Sequence, residues 1–246
     1  MAADSFEENP PVSVTAVIIG RAGSKGLPGK NAMALLGRPM VSYSIEAARE
    51  SEAVTRLIVS TDCAEMRRAA EREGVEVIQR PESLATDSAT VDAAVRHAVE
   101  SDNAPFVVIL YANAPVRPRG LIDRAVRMLI ESRADSVQSY AGVGKYHPYW
   151  ESRIDEEGRV TPFIENQVYR RQDLPPLFIP DGGVIVVRRE ALLNAEPSEP
   201  HSFLGRDRRG ILNEPGAVVD IDTKADLVLA EIRLREHSAE LGASRH

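Results

Sequence analysis

A chain of 246 residues with a single cysteine, Cys63, can bury one sizeable core and excludes both an internal disulfide framework and a multi-cysteine zinc site. Its 30 basic and 37 acidic residues give a formal charge of −7, which argues against a general nucleic-acid binder. No apolar run approaches the roughly 20 residues that a membrane-spanning helix needs, so the expectation is a soluble, cytoplasmic protein with no nucleic-acid or membrane partner.

Residues 1–11 are acidic and end in the Pro10-Pro11 pair, which predicts a disordered leader and a single domain over 12–246. Val14 to Ile19 is an apolar run that reads as a buried first strand. A glycine-rich basic loop follows at once. Pro39 to Arg49 opens with a helix-initiating proline and lines up Val41, Ile45 and Ala48 on one face. Arg56 to Ser60 reads as a strand, Ala64 to Glu73 as a helix stopped by Gly74, and Val75 to Ile78 as a strand. Thr90 to Glu100 predicts a helix, Phe106 to Leu110 a strand, and Gly120 to Arg133 a helix with Leu121, Ala125, Met128 and Leu129 facing inward. This alternation implies an α/β fold with a mostly parallel sheet covered on both faces.

The alternation fails over residues 142–180, where prolines, aromatics and charges crowd together and Ile154 to Val160 resembles a hairpin. Gly183 to Val187 then reads as a strand, Glu190 to Leu193 as a short helix, and Ala217 to Asp222 as a further strand. A last helix is expected from Thr223 to about Glu236, capped by Thr223.

The loop Gly20-Arg-Ala-Gly-Ser-Lys-Gly-Leu-Pro-Gly-Lys-Asn31 combines glycines that can turn backbone N–H groups toward an anion with the cations Arg21, Lys25 and Lys30. It suits a triphosphate. Five residues separate Gly23 from Gly29, and Asn31 stands where a magnesium-binding hydroxyl would be, so it is not a Walker A loop. The spacing G-x-x-G-x-x-G is not the dinucleotide fingerprint either. Ligands of open α/β sheets bind beyond the carboxyl ends of the strands, where this loop, the Thr61-Asp62 and Arg80-Pro81 turns and the segment from Tyr111 to Arg117 all lie.

Asp220-Ile-Asp222 is the second constellation. If it is a strand, both carboxylates share a face while Ile221 points into packing, an arrangement suited to magnesium, which takes one or two carboxylates together with substrate phosphates. The blander alternative leaves Asp220 exposed and makes Asp222 a helix cap.

Four ordered motifs resemble the acylneuraminate cytidylyltransferase (CMP-sialic acid synthetase) family: Arg21-x-x-Ser24-Lys25-x-x-Pro28-x-Lys30-Asn31, Arg80-Pro-Glu-x-Leu-Ala-x-Asp87, Arg171-Gln-x-Leu-Pro175 and Asp220-Ile-Asp222. The resemblance implies a single Rossmann-like nucleotidyltransferase domain that uses CTP and Mg²⁺ to make a CMP-sugar and pyrophosphate. Arg21, Ser24, Lys25 and Lys30 would then hold the triphosphate, Asn31 and Arg80 would help bind the nucleotide, and Asp220 with Asp222 would hold metal. Arg21, Lys30 and the two aspartates would form the catalytic set. It also implies a homodimer in which residues 142–180 form the arm and Arg170 and Arg171, with Tyr111, serve the sugar.

Two departures bear on the acceptor. Leu110-Tyr-Ala-Asn-Ala-Pro-Val-Arg117 is closer to the pseudaminic acid enzymes than to the sialic acid ones, and Ile179 and Asp181 stand where the latter usually have Arg and Asn. The second change removes a cation and adds an anion. The rival readings are a metal-dependent GT-A glycosyltransferase, whose Asp-x-Asp also follows a strand, and a nucleotide sensor without turnover.

Overall fold

The structure is a computed structural model that describes residues 12–243 except 24–26, 28 and 197. The expected leader, Ser24 and Lys25 lie outside the described residues. β1 (Val14–Gly20) is buried up to its last residue, as its apolar run requires. Beyond the loop come a short ribbon of β2 (Ala34–Leu35) and β3 (Arg38–Pro39), then α1 (Met40–Arg49), β4 (Arg56–Thr61), α2 (Ala64–Arg72), β5 (Glu76–Gln79) and α3 (Val91–Ala98). β6 (Phe106–Tyr111), α4 (Leu121–Ser132) and β7 (Ser136–Gly142) lead into the irregular region, which contains the hairpin of β8 (Ser152–Ile154) and β9 (Val160–Pro162). β10 (Phe178–Arg188), α5 (Arg189–Leu193), β11 (Arg208–Asn213) and α6 (Lys224–Ala243) complete the described chain.

Seven strands form the central sheet in the order β11-β7-β10-β6-β1-β4-β5. β1 runs parallel to β4 and β6, β4 to β5, and β7 to β11, while β10 is antiparallel to both its neighbours. The expected α/β class with a mostly parallel sheet is what the chain adopts. α1, α2 and α4 cover one face through Val41, Ile45, Met66, Ala70, Leu121 and Leu129, and α3, α5 and the Phe203-Leu204 turn cover the other. A third cluster, centred on Leu27, Leu35, Met40, Val116 and Ile221, packs under α6 at one end of the sheet.

Three sequence expectations need correction. β7 and β11 were not anticipated, and both pair beside β10 to extend the sheet. The segment Ala217 to Asp222 is not a strand: Val219 makes only an isolated antiparallel bridge with Val116, and the Ile221 N–H donates to the Asn113 carbonyl at 2.8 Å. Its β-branched residues are spent on the loop after β6 instead of on a sheet edge. The alternation of side chains survives, because Ile221 is fully buried while Asp220 and Asp222 are exposed.

Candidate active site

β1, β4, β5 and β6 run parallel and end on the same side of the sheet, and their continuations meet there. Leu27 is buried in the cluster that also contains Ile221, so one small core pins the glycine-rich loop and the aspartate segment together. Gly29 takes a φ of 71°, which a residue with a Cβ rarely adopts, and starts the 3-10 turn that presents Lys30 and Asn31. The Asn31 amide donates to the Arg21 carbonyl at 2.8 Å, and the Ala22 N–H donates to Asp62 Oδ1 at 3.0 Å, which ties the loop to the end of β4.

Both described cations of the loop are held by carboxylates from elsewhere in the crevice: Arg21 meets Asp87 at 2.5 Å and Lys30 meets Asp222 at 2.5 Å. Arg80 is buried beside them and donates through Nη2 to the Ser60 carbonyl at 2.9 Å. Burial lowers its pKa, Arg21 pushes the same way, and Asp62 opposes them. Asn31 Oδ1, Ser60 Oγ and Arg80 Nε are buried and have no hydrogen-bond partner among the described residues. Buried polar atoms are seldom left so, and three of them flanking one loop are suited to a polar ligand.

Asp220 rests against Gly182, where an added Cβ would lie 3.6 Å from its Oδ2, and accepts a hydrogen bond from the Asn113 amide. Its outer edge is open to water, yet burial of the rest and the charge of Asp222 push its pKa up to about 6, against the pull of Lys30 and Arg117. Asp222 does not cap the last helix. Thr223 and Asp226 do, since Asp226 Oδ2 accepts from the Thr223 N–H at 2.7 Å and the Asp226 N–H donates back to Thr223 Oγ1 at 3.3 Å. Among the described residues no group of three or more His, Cys, Asp or Glu could enclose a metal. Two carboxylates that repel one another beside a loop bearing Arg21 and Lys30 nevertheless fit magnesium, whose other ligands are usually water and phosphate oxygens.

The raised pKa makes a prediction about stability. Asp220 keeps a proton in the folded chain that the unfolded chain has already released, so its contribution is fully present below about pH 4 and is lost as the pH rises through about 6. Asp220→Asn should melt above wild type at pH 7.5 in the absence of ligands, with the gap narrowing at pH 5. A variant melting at or below wild type at pH 7.5 would contradict this account.

Tyr111 ends β6 half-buried, its pKa raised by burial and by the charge of Asp220. It lines a cleft of about 620 Å³ together with Thr90, Gln138, Pro180, Ile185 and His201. Asp181 does not face that space as a free anion. Its Oδ1 accepts from Ser139 Oγ at 2.5 Å and the Gly183 N–H at 3.0 Å, and its Oδ2 accepts from the Asn213 amide at 2.7 Å. The carboxylate closes the irregularity in β10 between Pro180 and Ile185.

Arg170 and Arg171 lie in the irregular region after β9, and neither lines the Tyr111 cleft. Arg170 pairs with Asp173 at 2.7 Å, and Arg171 lies exposed alongside Gly144. His147 is a structural pin there: its Nδ1 accepts from the Tyr149 N–H at 3.1 Å, which leaves Nε2–H to donate to the Pro175 carbonyl at 3.1 Å. Arg117, which sequence reasoning passed over, is buried behind Asp220.

The family described as cytidylyltransferase matches residues 15–174 of this chain. The chain belongs to that family. An N-acylneuraminate cytidylyltransferase of Streptococcus agalactiae serotype V is 31% identical over 217 residues, which are 86% of this chain and 51% of that protein. The chain thus spans about half the length of the first such relatives. A pseudaminic acid cytidylyltransferase of Campylobacter jejuni is 30% identical and matched over 88% of this chain and 94% of its own length. A CMP-N,N'-diacetyllegionaminic acid synthase of Legionella pneumophila is 29% identical, matched over 89% and 94%. Among solved structures, CMP:2-keto-3-deoxy-manno-octonic acid synthetase complexed with CTP superposes with a TM-score of 0.71 at 16% identity, covering 92% of this chain and 99% of its own, a likeness of fold. Among the described residues no helix is long and apolar enough to cross a membrane.

Proposed function

We propose that this protein transfers CMP from CTP to an acidic 2-keto sugar, a sialic acid or related nonulosonic acid, and releases pyrophosphate. The observation that carries this reading is the meeting, beyond the ends of the parallel strands, of a cation-bearing loop, an aspartate pair and three buried polar atoms that have no partner among the described residues. The family and the names of the relatives support the base and the class of acceptor.

No covalent nucleophile is required. A sugar hydroxyl attacks the α-phosphorus in line with the departing pyrophosphate, so the protein contributes positioning and charge. Lys30 and Arg21 would exchange their carboxylate partners for phosphate oxygens as CTP enters, and Asn31 and Arg80 would complete the nucleotide's polar contacts. Magnesium, held by Asp220 and Asp222, would supply a bridge to the triphosphate and offset charge on the leaving group. The reaction would draw on CTP in the cytoplasm.

The arm supports a homodimer. Tyr169 is 93% exposed, Ile154 71% and Val160 63%, and Phe163, Phe178 and Ile179 are also exposed close by in sequence. A concentration of uncovered apolar side chains on one insertion suits a protein interface, and a second copy would bring Arg170 and Arg171 toward the partner's Tyr111 cleft.

The decisive experiment scores pyrophosphate release in a matrix of four NTPs against a panel of 2-keto sugar acids. Release with CTP alone, dependent on one class of sugar acid, is expected. CTP binding without turnover would favour the sensor, and transfer from a nucleotide sugar would favour the GT-A enzyme. Within that assay Arg171→Ala should raise the sugar's KM about tenfold to a hundredfold, as loss of a charged hydrogen bond worth about 1.5–3 kcal/mol implies, while CTP binding is kept. An unchanged sugar KM would return Arg171 to the solvated surface.

A further inference from the structure

Arg117 is a long cation in a place where cations are seldom left. Only 7% of it is exposed, and an unpaired buried charge is strongly destabilising. Burial lowers its pKa to about 10, with Asp181 and then Asp220 opposing the shift. Its contacts join three elements. Nε donates to the Gly183 carbonyl at 3.1 Å, Nη1 donates to Ser44 Oγ at 3.1 Å, and that hydroxyl donates in turn to the Tyr111 carbonyl at 3.0 Å. The guanidinium thereby clamps the start of the β10 core against α1 and the end of β6.

Nη2 is buried and donates to no described residue. Of the two carboxylates whose charges reach Arg117, Asp181 has both oxygens engaged by Ser139, Gly183 and Asn213. Asp220 accepts from Asn113 through Oδ1, and its Oδ2 lies over Gly182, the neighbour of the residue that Arg117 holds. Gly182 has a φ of +77°, and a Cβ at Gly183 would come within 2.9 Å of Leu121, Ser139 and Val218. This turn is therefore closely packed, and the hold of Arg117 on Gly183 passes directly to the residue beneath Asp220.

We propose that Arg117 is a positioning residue for Asp220, fixing the Gly182-Gly183 turn beneath it and supplying the buried counter-charge that seats its carboxylate for the metal. The inference rests on the reading of Asp220 as a metal ligand. It assigns Arg117 no contact with substrate.

The test compares Arg117→Met, which keeps the stem and removes the charge, with Arg117→Lys, which keeps the charge and loses the fork, in the full chain. Binding of Mn²⁺ in the presence of CTP and without sugar, followed by electron paramagnetic resonance, gives a readout independent of turnover. Arg117→Met should weaken Mn²⁺ binding about 10–100-fold, as loss of groups that orient metal ligands typically does. It should lower kcat at limiting magnesium and leave the CTP KM near wild type, and Arg117→Lys should fall between Arg117→Met and wild type. Wild-type Mn²⁺ affinity in a folded Arg117→Met protein would overturn the proposal and leave Arg117 a packing residue. Should that variant fail to fold, Arg117→Lys decides: a clear loss of Mn²⁺ affinity supports positioning, and wild-type affinity overturns it. Asp220→Asn is the control, because unaltered Mn²⁺ binding there would sink the metal reading itself, whereas its loss beside an unaffected Arg117→Met sinks only the role of Arg117.

Discussion

Asp222→Asn should lower turnover by two or more orders of magnitude while the protein stays folded. The substitution keeps size but removes one of two negative charges at the aspartate pair, so an electrostatic contact made in the transition state is lost, worth about 2.7–4 kcal/mol. Folding should survive for a reason the structure supplies: the cap of α6 belongs to Thr223 and Asp226, and Ile221 carries the packing. The measurement is kcat across a magnesium titration, beside a thermal melt. Wild-type turnover at limiting magnesium would remove Asp222 from the site, and a collapsed melting temperature would make its role structural.

Lys30→Met should reduce kcat/KM for CTP by about 10²–10³, the loss expected when one preorganised charge on a departing group is removed. Methionine retains most of the apolar stem, which matters because the Lys30 side chain is only 15% exposed. The variant also releases Asp222 from its 2.5 Å ion pair, so Mn²⁺ binding should persist while CTP chemistry fails. That separation identifies Lys30 as a phosphate ligand and not as a prop for the carboxylates. Wild-type kcat/KM for CTP would exclude the role.

The parts of the fold legible in the sequence were those with a strong local signal. β1 is an unbroken apolar run, Gly74 stops α2 with a φ of 67°, and Val41, Ile45 and Ala48 lie on the buried face of α1 as their spacing requires. β11 was hidden because it is an edge strand with only Ile211 buried, and β7 because serine, glutamine and tyrosine interrupt its pattern. Ala217 to Asp222 misled for the opposite reason: its β-branched residues read as a strand, but their backbone partners are in the loop after β6. Loop chemistry and motif order singled out Arg21, Lys30, Asn31 and Arg80, which the structure brings to one crevice. Arg117 was not, since an arginine is expected at the surface and only the three-dimensional placement of Ser44, Gly183 and Asp220 shows why it is buried.

The small core shared by Leu27 and Ile221 divides the crevice into two workshops. Loop and aspartate pair are anchored to one another through Leu27, Val116, Val219, Ile221 and Ala230, none of which lines the Tyr111 cleft. The Tyr111 cleft is lined instead by α3 and the turn before it, by β6, β7 and β10, and by the turn around His201. Side chains that line the cleft can therefore change without repacking that core. In a laboratory lineage selected for a new sugar acid, substitutions should gather around the cleft and the root of the arm, with the Leu27–Ile221 core left intact.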